Sequence, residues 1–190
     1  MRKKDENKSE AIFEATLQLL NEIGLSELSM SKIARRAQVS PATIYIYFDS
    51  KEDLLRKLYL RVKQKMVHRV SDNIQEAPTI RAQFEVAIKN FVSFAFERKD
   101  YFLFLEQFSN SPLVQNLSLE AYRSFYEPVE ALFEEGKRQQ LFRQVDTELL
   151  MTYAFMPIHA LVKTQLRAGG SIPEERIKVW IEMSWNAISD

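Results

Sequence analysis

Few side chains in this sequence have the chemistry of catalysis. Of 190 residues none is cysteine, and His68 and His159 are the only histidines, which excludes a thiolate nucleophile, a disulfide framework and a Cys-ligated zinc. The four glycines form no phosphate-cradling loop, and no His, Asp and Glu cluster has metal-ligand spacing. An enzyme would have to use carboxylates alone for acid/base work in an aromatic cavity; nothing points to that, and no cofactor is implied. A different chemistry is written between Ser29 and Lys51. Ser29 and Ser40 stand at helix starts, where hydroxyls and free backbone amides attract anions. Pro41, Ala42 and Thr43 are small enough for a backbone to approach base edges, and Ala and the Thr methyl can meet a thymine methyl. Tyr45 and Tyr47 place phenols at the edge of the second short helix and Lys51 an ammonium at the start of the next, groups able to bond phosphate oxygens. These eight residues are the candidate contacts to double-stranded DNA, although either tyrosine taken alone is more often a half-buried core aromatic. Arg35 and Arg36 suit a solvated face or a flanking phosphate.

The elements that must hold these residues are helical. Gly and Pro are scarce, with four and six copies, and apolar residues recur every three or four positions. Ile12, Ala15, Thr16, Leu19, Leu20 and Ile23 predict a first helix over about 8–23, with Gly24 as a left-handed cap. Ser29 and the Ser40-Pro41 pair then start two short helices with helix-turn-helix spacing. Ser50-Lys51-Glu52-Asp53 opens a long helix over 51–75 in capping-box fashion. Further helices are predicted at about 79–97, 101–110, 118–136, 147–168 and 173–188, with breaks at Lys99-Asp100, Ser111-Pro112, Gly136 and Gly169-Gly170.

Formal charge sums to zero, yet residues 1–70 hold 14 basic and 9 acidic side chains while 71–190 hold 12 and 17. The balance therefore does not exclude a nucleic-acid partner; residues 51–70 supply the excess, with seven basic against two acidic. The N-terminus has no apolar stretch behind Arg2-Lys3-Lys4, so no secretory signal is read. The longest uncharged run, 149–162, is too short for a membrane span of roughly 20 residues. The reading is cytoplasmic, with no membrane partner.

The stretch SMSKIARRAQVSPATIYIYFDSKEDLL, 29–55, resembles the DNA-binding signature of the tetracycline-repressor (TetR/AcrR) family of bacterial transcription regulators. Ile33-Ala34, Ala37, Val39-Ser40, Tyr45-x-Tyr47-Phe48 and Ser50-Lys51-Glu52-x-Leu54 carry it, with Leu19-Leu20 and Gly24 fitting the first helix. Gln38 departs from the family, which commonly has Gly there. The resemblance implies an all-α chain: a three-helix helix-turn-helix DNA-binding domain (1–50), a connecting helix (51–75), and a larger helical effector-binding and dimerisation domain (76–190). It implies a homodimer, without catalysis, released from a palindromic operator by a small molecule; a helical interaction module that has lost DNA binding is the alternative. Seventeen of the 22 aromatics lie after residue 71, which suggests an apolar or amphiphilic effector. Candidate pocket residues are Phe91, Phe94, Phe104 and Phe108, with Tyr122, Tyr126 and Phe155. Glu106 and His159 join them as polar groups in apolar stretches, where a core hydrogen bond is the other explanation. The dimer interface is expected from Leu150, Tyr153, Ile158 and Leu161 on one helix and Ile177, Trp180, Ile181 and Trp185 on the next.

Overall fold

The structure, a computed structural model, describes residues 2–115, 117 and 120–190. The regular elements among them are all helical: α1 (Arg2–Glu27), α2 (Met30–Arg36), α3 (Pro41–Tyr47), α4 (Lys51–Ser71), α5 (Ile80–Glu97), α6 (Lys99–Phe108), α7 (Pro112–Gln115), α8 (Glu120–Arg138), α9 (Thr147–Arg167) and α10 (Glu174–Ile188), with a 3-10 turn at Ile74–Glu76. None of these helices is long and apolar enough to cross a membrane. The chain forms two compact units, Met1–Val62 with Asp100–Ser118, and Lys63–Lys99 with Leu119–Asp190.

In the first unit, α1 buries Ile12, Phe13, Ala15, Leu17, Leu19 and Leu20, and the buried Thr16 hydroxyl is returned to the Ile12 carbonyl at 2.7 Å. Gly24 breaks the helix geometry with φ 74° and ψ 175°, a region essentially confined to glycine. The 100–118 segment belongs to this unit, which departs from the 76–190 boundary read from the sequence. Tyr101, buried, donates its phenol to Glu14 at 2.7 Å, and Phe104 lies 6.5 Å from Tyr59 between ring centroids. Aromatic composition placed these residues with the later helices, whereas their contacts are with α1 and α4.

In the second unit α4 stops at Ser71, four residues short of the expected end. Asn73 adopts φ 58°, and the Asn90 amide donates to the carbonyls of Val70 and Asp72 at 3.2 and 2.8 Å, satisfying acceptors that a longer helix would have used. Thr79 caps α5, accepting from the Ala82 amide at 3.1 Å. Phe84, Phe133, Phe142 and Trp185 pack with ring centroids 5.0–6.4 Å apart. The Arg81 guanidinium covers Trp185 at 4.9 Å and bonds Glu85 and Glu182.

Gly136 does not break α8, which runs on to Arg138; the reversal comes at Gln140, with φ 57°. The glycine serves packing: a Cβ there would lie 2.2 Å from the buried Phe142 ring. Gly136→Ala should therefore destabilise the fold by about 2–3 kcal/mol in denaturant titration, and by much less in a Phe142→Ala background. Equal costs in the two backgrounds would show that the ring is not what excludes the Cβ.

Candidate DNA interface

Two short helices and the start of α4 build the site. Ser29 caps α2, its hydroxyl accepting from the Lys32 amide at 3.3 Å, and Ser40 caps α3, accepting from Thr43 at 3.1 Å. The Ser40 and Thr43 hydroxyls also bond each other at 2.8 Å. One hydrogen serves that bond and the other hydroxyl hydrogen remains available to an external acceptor. Between the helices the amides of Gln38 and Val39 return to the carbonyls of Arg35 and Ala34 at 3.3 and 3.0 Å, the paired bonds of a Schellman turn. This turn requires a left-handed residue, and Gln38 has φ 56°. The departure noted in the sequence therefore sits at a strained position.

One face of α3 is buried and the other is open. Ile44 and the following Phe48 are fully buried with Ile33 and Ala34, and Phe48 lies 5.2 Å from Phe13 between ring centroids. Pro41 and Ala42 face outward, Tyr45 is 56% exposed and Ile46 77%. Tyr47 and Thr43 are half-buried. Lys51, also half-buried, donates to the Leu28 carbonyl at 3.4 Å, which brings its ammonium beside the Ser29 cap. Two candidates 22 positions apart thus meet at the N-terminus of α2, where amides and cation both favour an anion. Arg36 is engaged by Glu22 at 2.8 Å, whose carboxylate pushes the guanidinium pKa up; Arg35 is exposed.

Sequence reasoning overlooked two residues here. Ile46 shares a helix face with Ala42 and Tyr45 at i, i+3 and i+4 spacing, a signal legible in the pattern. Lys57 donates to the Tyr47 carbonyl at 3.1 Å, to Asp53 at 2.8 Å, and lies 5.4 Å from the Phe48 ring centroid. It therefore ties the C-terminus of α3 to α4. Asp53 in turn accepts from the Asp49 amide at 3.1 Å and donates its own amide to the Ser50 hydroxyl at 3.0 Å, so its short carboxylate reaches the amide one position before the Ser50 cap. Burial pushes the Asp53 pKa up, but hydrogen bonds from Lys57 and the Asp49 amide and the charges of Lys57 and Arg56 outweigh it, so the net shift is downward.

The remaining candidates divide between the units. Phe104 and Phe108, 4.7 Å apart, lie in the first unit with the half-buried Glu106, a correction to their assignment among the later helices. Phe91 meets Phe155 and His159 in the second unit, each at 6.0 Å between centroids. Phe94 is buried on the same helix. Burial pushes the Tyr126 phenol pKa up, and Lys63 lies 5.5 Å from its ring centroid; the Tyr122 side chain lies outside the described residues. Leu150, Ile158 and Ile181 are buried within the subunit, so they cannot form the expected interface with a second chain. Leu161, Ile177, Trp180 and Trp185 are half-buried. Of the expected interface residues Tyr153 is exposed, joined by Leu149, Met156, Val179 and Met183.

Two measurements follow from this geometry. Gln38→Gly should stabilise the protein by about 1 kcal/mol, because it removes the left-handed cost of a side chain; an unchanged or lowered Tm would contradict the strain. Lys57→Met should raise the Asp53 pKa, read by carboxyl NMR. Since the folded pKa is depressed, the stability contributed by Asp53 ionisation is complete above its unfolded value near ~3.9 and is lost as pH falls through the folded value. The stability gap between wild type and Asp53→Asn should accordingly narrow only under acid conditions.

The model of bacterial regulatory proteins of the tetR family matches residues 12–58, and that of the tetracyclin repressor-like C-terminal domain matches residues 79–189. An uncharacterised HTH-type transcriptional regulator of Haemophilus influenzae is 25% identical over 189 residues, 99% of each chain. A TetR family transcription regulator from Marinobacter aquaeolei superposes with a TM-score of 0.85 at 29% identity, covering 100% of both chains. The transcriptional regulator FadR from Bacillus subtilis, in complex with stearoyl-CoA, has the same fold, with a TM-score of 0.77 at 23% identity over 94% of this chain and 98% of that one. The chain belongs to the tetR family of bacterial regulatory proteins and is a DNA-binding regulator of transcription.

Proposed function

We propose that the protein is a homodimeric cytoplasmic repressor that leaves a palindromic operator when a small amphiphilic effector binds. The observation that carries the reading is the outward face of α3, with Ala42, Tyr45 and Ile46 opposite the buried Ile44 and Phe48. A seven-residue helix rises about 10 Å, which fits a major groove ~12 Å wide. Ser29, Ser40, Tyr45, Tyr47 and Lys51 then contact the flanking phosphates, while Pro41, Ala42 and Thr43 let the helix sit close to the base edges. Tyr45→Ala combined with Lys51→Ala should abolish sequence-selective binding to the DNA upstream of the gene. Wild-type affinity should fall with salt at a log-log slope of about −0.9 per neutralised phosphate. Selective binding retained by the double variant would refute this interface.

An apolar stripe on α9 and α10 supports the dimer. Leu149, Tyr153 and Met156 recur at intervals of four and three, Val179 and Met183 at four, and each is 47–61% exposed. The two helices pack closely through Ala154 and Ser184, whose hydroxyl donates to the Ala154 carbonyl at 3.3 Å. A second copy covering this stripe makes a self-complementary two-fold contact, and two-fold symmetry in turn matches a palindrome with half-sites ~34–36 Å apart. Tyr153→Glu with Met183→Glu should yield monomers by sedimentation and lose cooperative operator binding. A dimer that survives both charges would overturn this assignment.

For the effector, Phe91, Phe155 and His159 supply apolar rings and one imidazole, suited to a molecule with a long apolar chain and a polar head. Stearoyl-CoA, bound by the Bacillus subtilis FadR, is of that kind, and fatty acyl compounds are the effector class assigned here. Residues of α4 belong to both units, so a ligand that shifts this helix alters the recognition helices; the two states need differ by only a few kcal/mol. Long-chain acyl-CoA at 100 times its Kd should stabilise the protein by about 2.7 kcal/mol and release the operator. Acyl-CoA that leaves both Tm and DNA binding unchanged would exclude this effector class.

A further inference from the structure

Among the described residues Ile46 is the most exposed large apolar side chain, at 77%. A single exposed isoleucine is ordinary on a protein surface; its position on α3 is what gives this one meaning. Ile44 and Phe48, each two positions away, are buried, so Ile46 cannot turn inward without releasing them. Ala42 lies one turn earlier on the same face, and its small side chain leaves room for a base pair to come flush against the helix. With α3 in the major groove, Ile46 faces base edges.

We infer that Ile46 is a specificity-determining residue that packs on the 5-methyl group of a thymine in each operator half-site. Of the four bases only thymine presents an apolar group in the major groove; adenine, guanine and cytosine present donors and acceptors there. An isoleucine can satisfy none of these, and a polar edge pressed against it loses water without gaining a hydrogen bond. The thymine methyl carries no such penalty. Branching at Cβ also holds a helical isoleucine largely to one χ1 rotamer, so little freedom is lost when the contact forms. The inference rests on the DNA-binding reading of α3, and the experiment separates the two.

Sites bound by the full-length protein are selected from random duplex DNA. At each enriched symmetric thymine dT is then replaced by deoxyuridine, which deletes the methyl and nothing else. Wild type should lose about fourfold in affinity per methyl removed, at one thymine position in each half-site. Ile46→Ala should bind the dT and deoxyuridine sites equally; its thermal midpoint should match wild type, since the side chain is exposed. Equal wild-type affinity for both bases at every enriched thymine would overturn the inference, as would an undiminished preference for dT in Ile46→Ala. Failure to enrich any sequence would overturn the DNA-binding reading of α3 and this inference with it.

Discussion

Burial of Ile44 and Phe48 is the constraint on which the DNA interface depends. A helix of seven residues is far below the ~12–15 needed for marginal stability in isolation, so α3 exists only as part of its surroundings. Ile44 and Phe48 have essentially no exposure, and Phe48 is held between the Phe13 ring and the Lys57 ammonium. Both ends are secured by side chains, Ser40 with Pro41 at the start and Lys57 on the Tyr47 carbonyl at the end. With those positions fixed, helical geometry leaves Ala42, Tyr45 and Ile46 no orientation other than outward.

The Gln38 turn sets the direction in which that face points. Two amide-to-carbonyl bonds fold the chain back after α2, and they require a left-handed backbone whichever side chain is present. The sequence meets this with glutamine and accepts a cost of about 1 kcal/mol that glycine would avoid. That cost is offset because Val39 and Ser40 are delivered at the register that buries Ile44. Gly24 shows the reverse case, a backbone with φ 74° and ψ 175° that no other residue adopts cheaply. Between them these positions determine how α1, α2 and α3 meet.

What could be read from sequence was what is decided locally. The starts of α2, α3 and α5 agree with expectation to within a residue, because Ser29, Ser40 and Thr79 cap their helices by hydrogen bonds three residues away. The eight DNA candidates fall on the α2 to α4 start, and Ser29 and Lys51 are brought together. What was missed depends on contacts distant in the chain. Gly136 looks like a helix breaker until Phe142 is seen against it. In α9 apolar residues surround the helix, so periodicity carries no phase, and Leu150 and Ile158 could not be distinguished from Leu149 and Tyr153. Phe104 and Phe108 share the aromatic character of the later helices, yet α6 packs in the first unit, where Tyr101 reaches Glu14.

The basic excess of α4 is also explained by contacts rather than by DNA. Lys57 is bonded to Asp53 and Tyr47, Arg61 to Glu10 while lying over Phe13, and Lys63 lies over Tyr126. Arg69 bonds Asn90 and pairs with Asp72 and Glu97, and Arg36 on α2 is held by Glu22. Four of the seven basic side chains of 51–70, and Arg36 with them, thus have partners within the subunit. Lys51 differs, since it bonds a neutral carbonyl and keeps its charge uncompensated beside the α2 N-terminus. The outward face of α3 itself has no charged side chain between Pro41 and Phe48. On the interface proposed above, its means of reading DNA are a methyl-sized fit, hydroxyls and a close backbone, so that discrimination would draw on shape and apolar contact more than on guanidinium or ammonium groups at base edges.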